Sequence, residues 1–444
     1  MTEIILNKPE NLILEDLIPV DRPFYPRKRK DDGTYSPIMT TGKRIRKQIP
    51  AMYYFIHMLL ERQHSDVDEL RCWFAKDFVQ VYSRDIEPIK SKNDFRFIWG
   101  ILKTLNVIEF HDDTRPNRYK KSAKVYFFKL TDNYVNSTIV QHRISINDSI
   151  AEKLNRKWNN LKKGDSEIKD IDYNKIDKVF LHQYNTLKYI RFDATKAKEH
   201  AEKLLSKNEI NTKQYNTCLI RINNIVTGKI RVTYSESCNR FFTPVNQMPK
   251  ELRQFFLDKD GNELVELDFV SCNPFIIYKI LNEMQPDYKS DVEKIAFEHE
   301  LYLYRRLLSA GDFYNSFKEY FFPDIDISRD QIKDDILHRW FNGRLNSRNK
   351  FRKRMLQRMP FISAVVDSMK SQRYEDYSNI TMKFESQLVN EIIFKRFIEI
   401  HPDAIMYNIF DSFLIERRYA TELLSLMQEE GSRFFNLNCF VRVK

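Results

Sequence analysis

The sequence predicts an α+β multidomain protein. Three features support this: a chain too long for one ordinary core, apolar strand-like runs that each carry a single acid, and helical patterns between them. The chain has 444 residues, enough for about two or three domains. The two decisive runs are Leu264-Val265-Glu266-Leu267-Asp268-Phe269-Val270 and Met406-Tyr407-Asn408-Ile409-Phe410-Asp411-Ser412-Phe413-Leu414-Ile415. Removing an ionised carboxylate from water costs on the order of several kcal/mol unless it is paired or binds a cation. If the strands of Asp268 and Asp411 lie side by side, a pair of divalent ions would be a suitable partner, and phosphoryl transfer the matching chemistry.

Bulk composition fits a protein that handles a polyanion. Lys+Arg 73 against Asp+Glu 62 leaves a net charge of +11, and the pI of about 9.1 points to nucleic acid or another acidic surface. The five cysteines (Cys72, Cys218, Cys238, Cys272 and Cys439) show no paired spacing, which argues against a zinc site and a disulfide framework. No apolar run reaches about 18 residues, and the N-terminus lacks a secretory pattern. A cytoplasmic protein without membrane contact is expected.

Residues 1–50 carry Pro9, Pro19, Pro23, Pro26, Pro37 and Pro50 and the basic clusters Arg27-Lys28-Arg29-Lys30 and Lys43-Arg44-Ile45-Arg46-Lys47. They read as a basic extended arm able to lie on a phosphate backbone, or as a solvated linker. Helical patterns follow over Tyr53–Arg62 and from Asp66 through Phe78, with Ser65 or Asp66 as N-cap. A third helix begins near Asp94 and leads into a strand over 106–110. A basic loop follows, Thr114-Arg115-Pro116-Asn117-Arg118-Tyr119-Lys120-Lys121, and then a return strand over 124–130. Residues 51–156 therefore resemble a winged helix, with Arg118, Lys120 and Lys121 on the nucleic-acid backbone. An ordinary α+β packing domain has the same order. Polar residues between Lys157 and Lys175 mark a boundary, and 157–230 reads as a linker followed by a helical segment. Only 9 glycines occur, and neither G-x-x-x-x-G-K-[ST] nor G-x-G-x-x-G is present, which argues against a P-loop ATPase or a nicotinamide enzyme.

Four segments in the C-terminal half carry candidate chemistry. The first runs from Thr233 to Pro244 and contains Arg240. The second is the Asp268 strand, continuing through Ser271-Cys272-Asn273-Pro274. The third is a basic helix from Arg329 to Gly343, and the fourth is the Asp411 strand. On the third, Arg329, Lys333, Leu337 and Phe341 are spaced by four and would form one row along a helix face. Two cations followed by an apolar and an aromatic side chain can hold a triphosphate and stack a base. A solvated amphipathic helix is the plainer alternative. After Gly343 comes the densest basic stretch, with Arg344, Arg348, Lys350, Arg352, Lys353, Arg354 and Arg358 around Phe351. It suits contact with template or primer, and equally a solvated helix face.

Taken in this order, the segments resemble the palm and fingers of the family A DNA polymerases and the related single-subunit phage RNA polymerases, over roughly 231–418. Asp268 matches the metal-binding aspartate of the first motif, and Arg329 and Lys333 match R-x-x-x-K on the nucleotide-binding helix. Phe341 stands where the family has tyrosine. Asp411 matches the aspartate of the H-D motif, with Phe410 in place of the histidine. Ser412 replaces the glutamate of DNA polymerases and, with Phe413, is more similar to the phage RNA polymerase form. Arg240 resembles an arginine that approaches template or primer, and Gln387 a polar residue on the helix before the last motif.

The resemblance implies a right-hand architecture, with palm and helical fingers over 231–444 and a thumb-like segment within 157–230. It implies two Mg²⁺ ions on Asp268 and Asp411, with Mn²⁺ as a substitute, about 3.5–4 Å apart. Lys333 would neutralise the triphosphate and donate a proton to pyrophosphate, and Arg329 would clamp the terminal phosphate. Asn273 occupies the position that crowds the ribose 2′ carbon in the family. The expected activity is templated nucleotidyl transfer without proofreading, with template, primer and nucleoside triphosphates as partners. DNA-directed DNA synthesis is favoured over a single-subunit RNA polymerase or primase-like enzyme. A non-catalytic DNA-binding replication protein is the rival of a different class.

Overall fold

A computed structural model of the chain describes residues 2–21, 23–24, 27–29, 35–37, 40–64, 78–81, 89, 95–113, 125–159, 161–163, 166–167, 177–229, 232–235, 240–283, 290–343, 345, 349–370 and 376–444. Helices and sheets are mixed throughout. Two compact units form: Met1–Asn160 with Asp193–Arg231 and Met248–Leu252, and Leu161–Phe192 with Val232–Gln247 and Arg253–Lys444. Among the described residues no helix is long and apolar enough to cross a membrane.

The first unit differs from expectation at its start. Residues 2–21 are not an extended arm: Thr2–Pro9 pairs antiparallel with Ile139–Ile146 along its whole length, and Ile4, Leu6, Leu12, Leu14 and Ile18 are buried. The apolar residues of Glu3-Ile4-Ile5-Leu6 outweigh the prolines and basic clusters that follow. The helix Ile49–Gln63 is buried almost all round, with Ala51 through Ile56, Leu59 and Leu60 in the core, as expected of a central helix. Phe55 meets Phe128 edge to face at 5.2 Å. The helix Phe95–Thr104 and the strands Ile108–Asp113 and Val125–Leu130 follow in order. The two strands pair, and Val79–Gln80 joins them as the third strand. The loop carrying Arg118, Lys120 and Lys121 lies outside the described residues, as do 66–77 of the second expected helix.

The expected thumb-like segment is divided. Helices Ala194–Ser206 and Thr212–Val226 belong to the first unit, whereas helix Lys178–Thr186 belongs to the second. Polar anchors explain the first assignment. Asn216 accepts from the Ile139 amide at 3.2 Å, and Lys229 donates to the Ile5 carbonyl at 2.6 Å. Burial lowers the Lys229 pKa to about 8.

The second unit is built around a four-stranded antiparallel sheet in the order Met406–Ile409, Ser412–Glu416, Leu264–Phe269, Val441–Val443. Three of its strands, Met406–Ile409, Ser412–Glu416 and Leu264–Phe269, are short and almost wholly buried, whereas the edge strand Val441–Val443 is largely exposed. The helix Ala420–Phe435 passes so close to the Asp268 strand that a β-carbon at Gly431 would lie 2.8 Å from the Phe269 ring. Only glycine permits that approach. The helix Cys272–Glu283 follows the Asp268 strand directly and is buried along Phe275, Ile276, Ile277, Ile280 and Leu281.

Candidate functional site

The run Met406–Ile415 is not one strand bearing Asp411 but a hairpin, Met406–Ile409 and Ser412–Glu416, whose second strand lies beside the Asp268 strand. Asp268 is the register partner of Ser412 on one side and of Arg442 on the other, and the Phe269 amide donates to the Asp411 carbonyl at 3.3 Å. Asp411 sits in a two-residue hairpin turn closed by the Ile409 and Ser412 pair. Phe410, the other turn residue, has φ +58°, the left-handed conformation such hairpins need and glycine usually supplies. Asn408 Nδ2 holds the turn by donating to the Phe410 carbonyl at 2.8 Å.

The two acids have opposite surroundings. Asp268 is buried, and its Oδ2 accepts from Arg442 Nη2 at 3.0 Å and Nε at 3.2 Å. Lys444 Nζ lies 3.2 Å from Asp268 Oδ1 and 2.6 Å from Glu266 Oε1. Asp411 is half-buried, and among the described residues no side chain hydrogen-bonds or ion-pairs with its carboxylate. Burial, then the charges of Glu385 and Asp268, push its pKa up to about 7, against the pull of Lys444.

Glu385, which the motifs did not identify, is thus a third acid in the cluster. Burial raises its pKa, and the Arg240 guanidinium pulls it back. Arg240 Nη2 donates to Glu385 Oε1, and the guanidinium stands 4.9 Å from the Phe410 ring centroid. Arg240 is therefore held between an acid and an aromatic ring beside Asp411. Cys272 lies among the three acids; burial and their charges raise its thiol pKa well above the ordinary value. Gln387 is exposed, two residues beyond Glu385.

Asn273 lies in the first turn of the helix after Asp268, half-buried. Its Oδ1 and the neighbouring Ser271 Oγ have no hydrogen-bond partner, and Ser271 has φ +59°. A bound polar group would satisfy both orphaned atoms.

The basic helix is only partly as expected. Arg329–Asp334 is α-helical, but Asp335–Phe341 is π-helical, so the four-residue row breaks after Lys333. Phe341 is fully buried, with its ring centroid 4.7 Å from that of Trp340, and is not on a base-stacking surface. Leu337 is half-buried against the same core. Arg329 and Lys333 remain together: both face the ring of Tyr314, at 5.3 Å and 5.9 Å. Arg329 also ion-pairs with Asp312 at 2.7 Å. Burial and the Asp411 charge raise the Tyr314 hydroxyl pKa. Tyr314, on the helix Phe313–Phe321, is therefore the link between the cationic helix and Asp411.

The downstream basic stretch also divides. Lys350, Lys353 and Arg354 are exposed on the helix Lys350–Arg358. Arg352 is buried and paired with Asp367 at 2.6 Å, which removes it from any template surface. Arg348 lies outside the described residues.

No protein-family model matches the chain, and no curated protein matches it. Among solved structures the chain is similar to the POL domain of Pol1 from M. smegmatis in complex with DNA primer-template and dNTP. The identity is 10%, the TM-score 0.37, and 55% of each chain is covered. The chain thus spans about half the length of that structure.

Proposed function

We propose that the chain is a templated nucleotidyltransferase, a small DNA-directed DNA polymerase without proofreading. The observation that carries this reading is the placement of Asp268 beside the turn that holds Asp411, with the Arg329 and Lys333 cations grouped over Tyr314.

The donor chemistry fits Mg²⁺. That ion takes hard oxygen ligands and uses about one or two protein carboxylates, leaving its other positions to water and substrate phosphates. Among the described residues no set of three or more His, Cys, Asp or Glu side chains is arranged for a metal, and an open pair of carboxylates suits Mg²⁺ better than a closed cage. Asp268 and Asp411 would hold the ions. When bound, these would activate a 3′-hydroxyl and stabilise charge on the phosphates. Arg329 and Lys333 would bind the triphosphate, Lys333 as the more exposed and mobile cation. Asn273 would stand beside the nucleotide sugar, the role the resemblance implies for it. Lys350, Lys353 and Arg354 would track the nucleic-acid backbone. A cytoplasmic setting completes the proposal.

One observation favours the rival, a non-catalytic DNA-binding protein: both oxygens of Asp268 already face cations of the chain, as in a structural ion pair. Primer-extension and de novo synthesis assays on DNA and RNA templates, with dNTPs and NTPs tested separately, distinguish the two. The enzyme reading expects product from the wild type, and loss of at least about a thousandfold in Asp268→Ala and Asp411→Ala with template binding retained. Tight DNA binding by the wild type with no product under any combination would establish the rival.

A further inference from the structure

Arg442 and Lys444 belong to no motif, yet they occupy the acid on which the proposed chemistry depends. Their strand is anchored by backbone pairing of Leu267 with Val443 and Asp268 with Arg442, and the Lys444 amide donates to the Glu266 carbonyl at 2.9 Å. The two side chains therefore reach Asp268 from a fixed edge of the sheet. The carboxylate and its partners differ in accessibility. The Asp268 side chain is 8% exposed, whereas Arg442 is 52% and Lys444 38% exposed. A carboxylate so buried needs a cation at all times, whereas half-exposed cations can return to water at little cost.

We propose that Arg442 and Lys444 are resident counter-ions of Asp268 that compete with the divalent metal for this carboxylate and so set the metal affinity of the site. The inference rests on the proposed metal-binding role of Asp268 and Asp411. In the metal-free protein the pair of cations holds the Asp268 carboxylate in place. With metal bound, they leave Asp268 and turn to solvent, where they face the anionic side of an incoming nucleotide. They are positioning residues and touch no reacting atom.

The test is Mn²⁺ binding to the full chain without nucleotide, followed by the loss of the free-ion paramagnetic resonance signal. Arg442→Gln/Lys444→Gln should bind Mn²⁺ about three- to tenfold more tightly than wild type, and Arg442→Lys should stay near wild type. Lys444→Gln alone removes only a half-exposed side chain and should fold; about a threefold tightening is expected of it. Unchanged or weaker Mn²⁺ binding in Lys444→Gln and the double variant, while Asp268→Asn abolishes wild-type binding, overturns the competition and leaves the metal site standing. Wild-type binding that is absent, or indifferent to Asp268→Asn and Asp411→Asn, removes the metal site itself, and the competition with it.

Discussion

Asp268, on a strand, and Asp411, in the turn that leads into the neighbouring strand, lie close together in one sheet, yet the protein treats them in opposite ways. Asp268 lies on an extended strand with cations at both oxygens. Asp411 lies on a turn with a left-handed neighbour, a second acid nearby and no direct cation. The first is a satisfied charge, and the second is a charge held at a cost. Under the proposed metal-binding reading, Asp411 would gain most from a metal, and Asp268 would exchange one cation for another.

The largest effect is expected where the compensation around Asp411 is removed. Arg240→Ala leaves Glu385 as an unpaired buried acid beside Asp411, and unfolding in urea should show a loss of about 3 kcal/mol. A loss below about 1 kcal/mol would show that Arg240 does not neutralise Glu385.

Neutralising the two aspartates should change stability in opposite directions. Asp268→Asn forfeits its charge-assisted hydrogen bonds and should cost about 1–3 kcal/mol. Asp411→Asn relieves crowding among acids and should stabilise by about 1–2 kcal/mol at pH 8, allowing for the partial exposure of the turn. Changes of the same sign in urea melts would abolish the contrast.

The smallest effect is a slope with pH. A carboxyl whose folded pKa of about 7 exceeds its unfolded value near 4 binds more protons folded than unfolded between those limits. Its contribution to stability therefore falls as pH rises from about 4 to 7 and is level above that. The midpoint of thermal unfolding should decline across this window more steeply in wild type than in Asp411→Asn. Equal slopes would remove Asp411 as their source.

The Asp268 strand could be read from sequence because a single acid inside an apolar run is a strong local signal; the Asp411 run gave the same signal but is broken into two strands by a turn at Phe410 and Asp411, with no glycine or proline to mark it. The remainder of the cluster had no such signal. Glu385 follows Phe384 in an ordinary amphipathic helix, and its importance depends on Arg240, which is distant in sequence. Arg442 sits in a three-residue strand, Val441–Val443, too short to show alternation. Phe341 was misplaced because the four-residue period assumes an α-helix, and the π-helical turns after Asp334 change the phase. Arg352 looked exposed because its neighbours are basic; its counter-charge, Asp367, lies on the following helix. Residues 2–21 were read through their prolines, although Ile4-Ile5-Leu6 is an apolar, largely β-branched run of the kind that opens a strand, and the strand is buried from Leu6 through Pro9. The division of 157–230 between two units is a matter of tertiary polar contacts, which local composition does not encode.

The hairpin that carries Asp411 also limits which lengths of chain this region can tolerate. With Ile409 paired directly to Ser412, the turn is as short as a hairpin commonly gets. Side chains alternate between faces along a strand, so a single inserted residue that shifted the pairing would turn the following buried strand inside out. The length of this turn is therefore closed to selection and design, whichever side chain stands at Phe410.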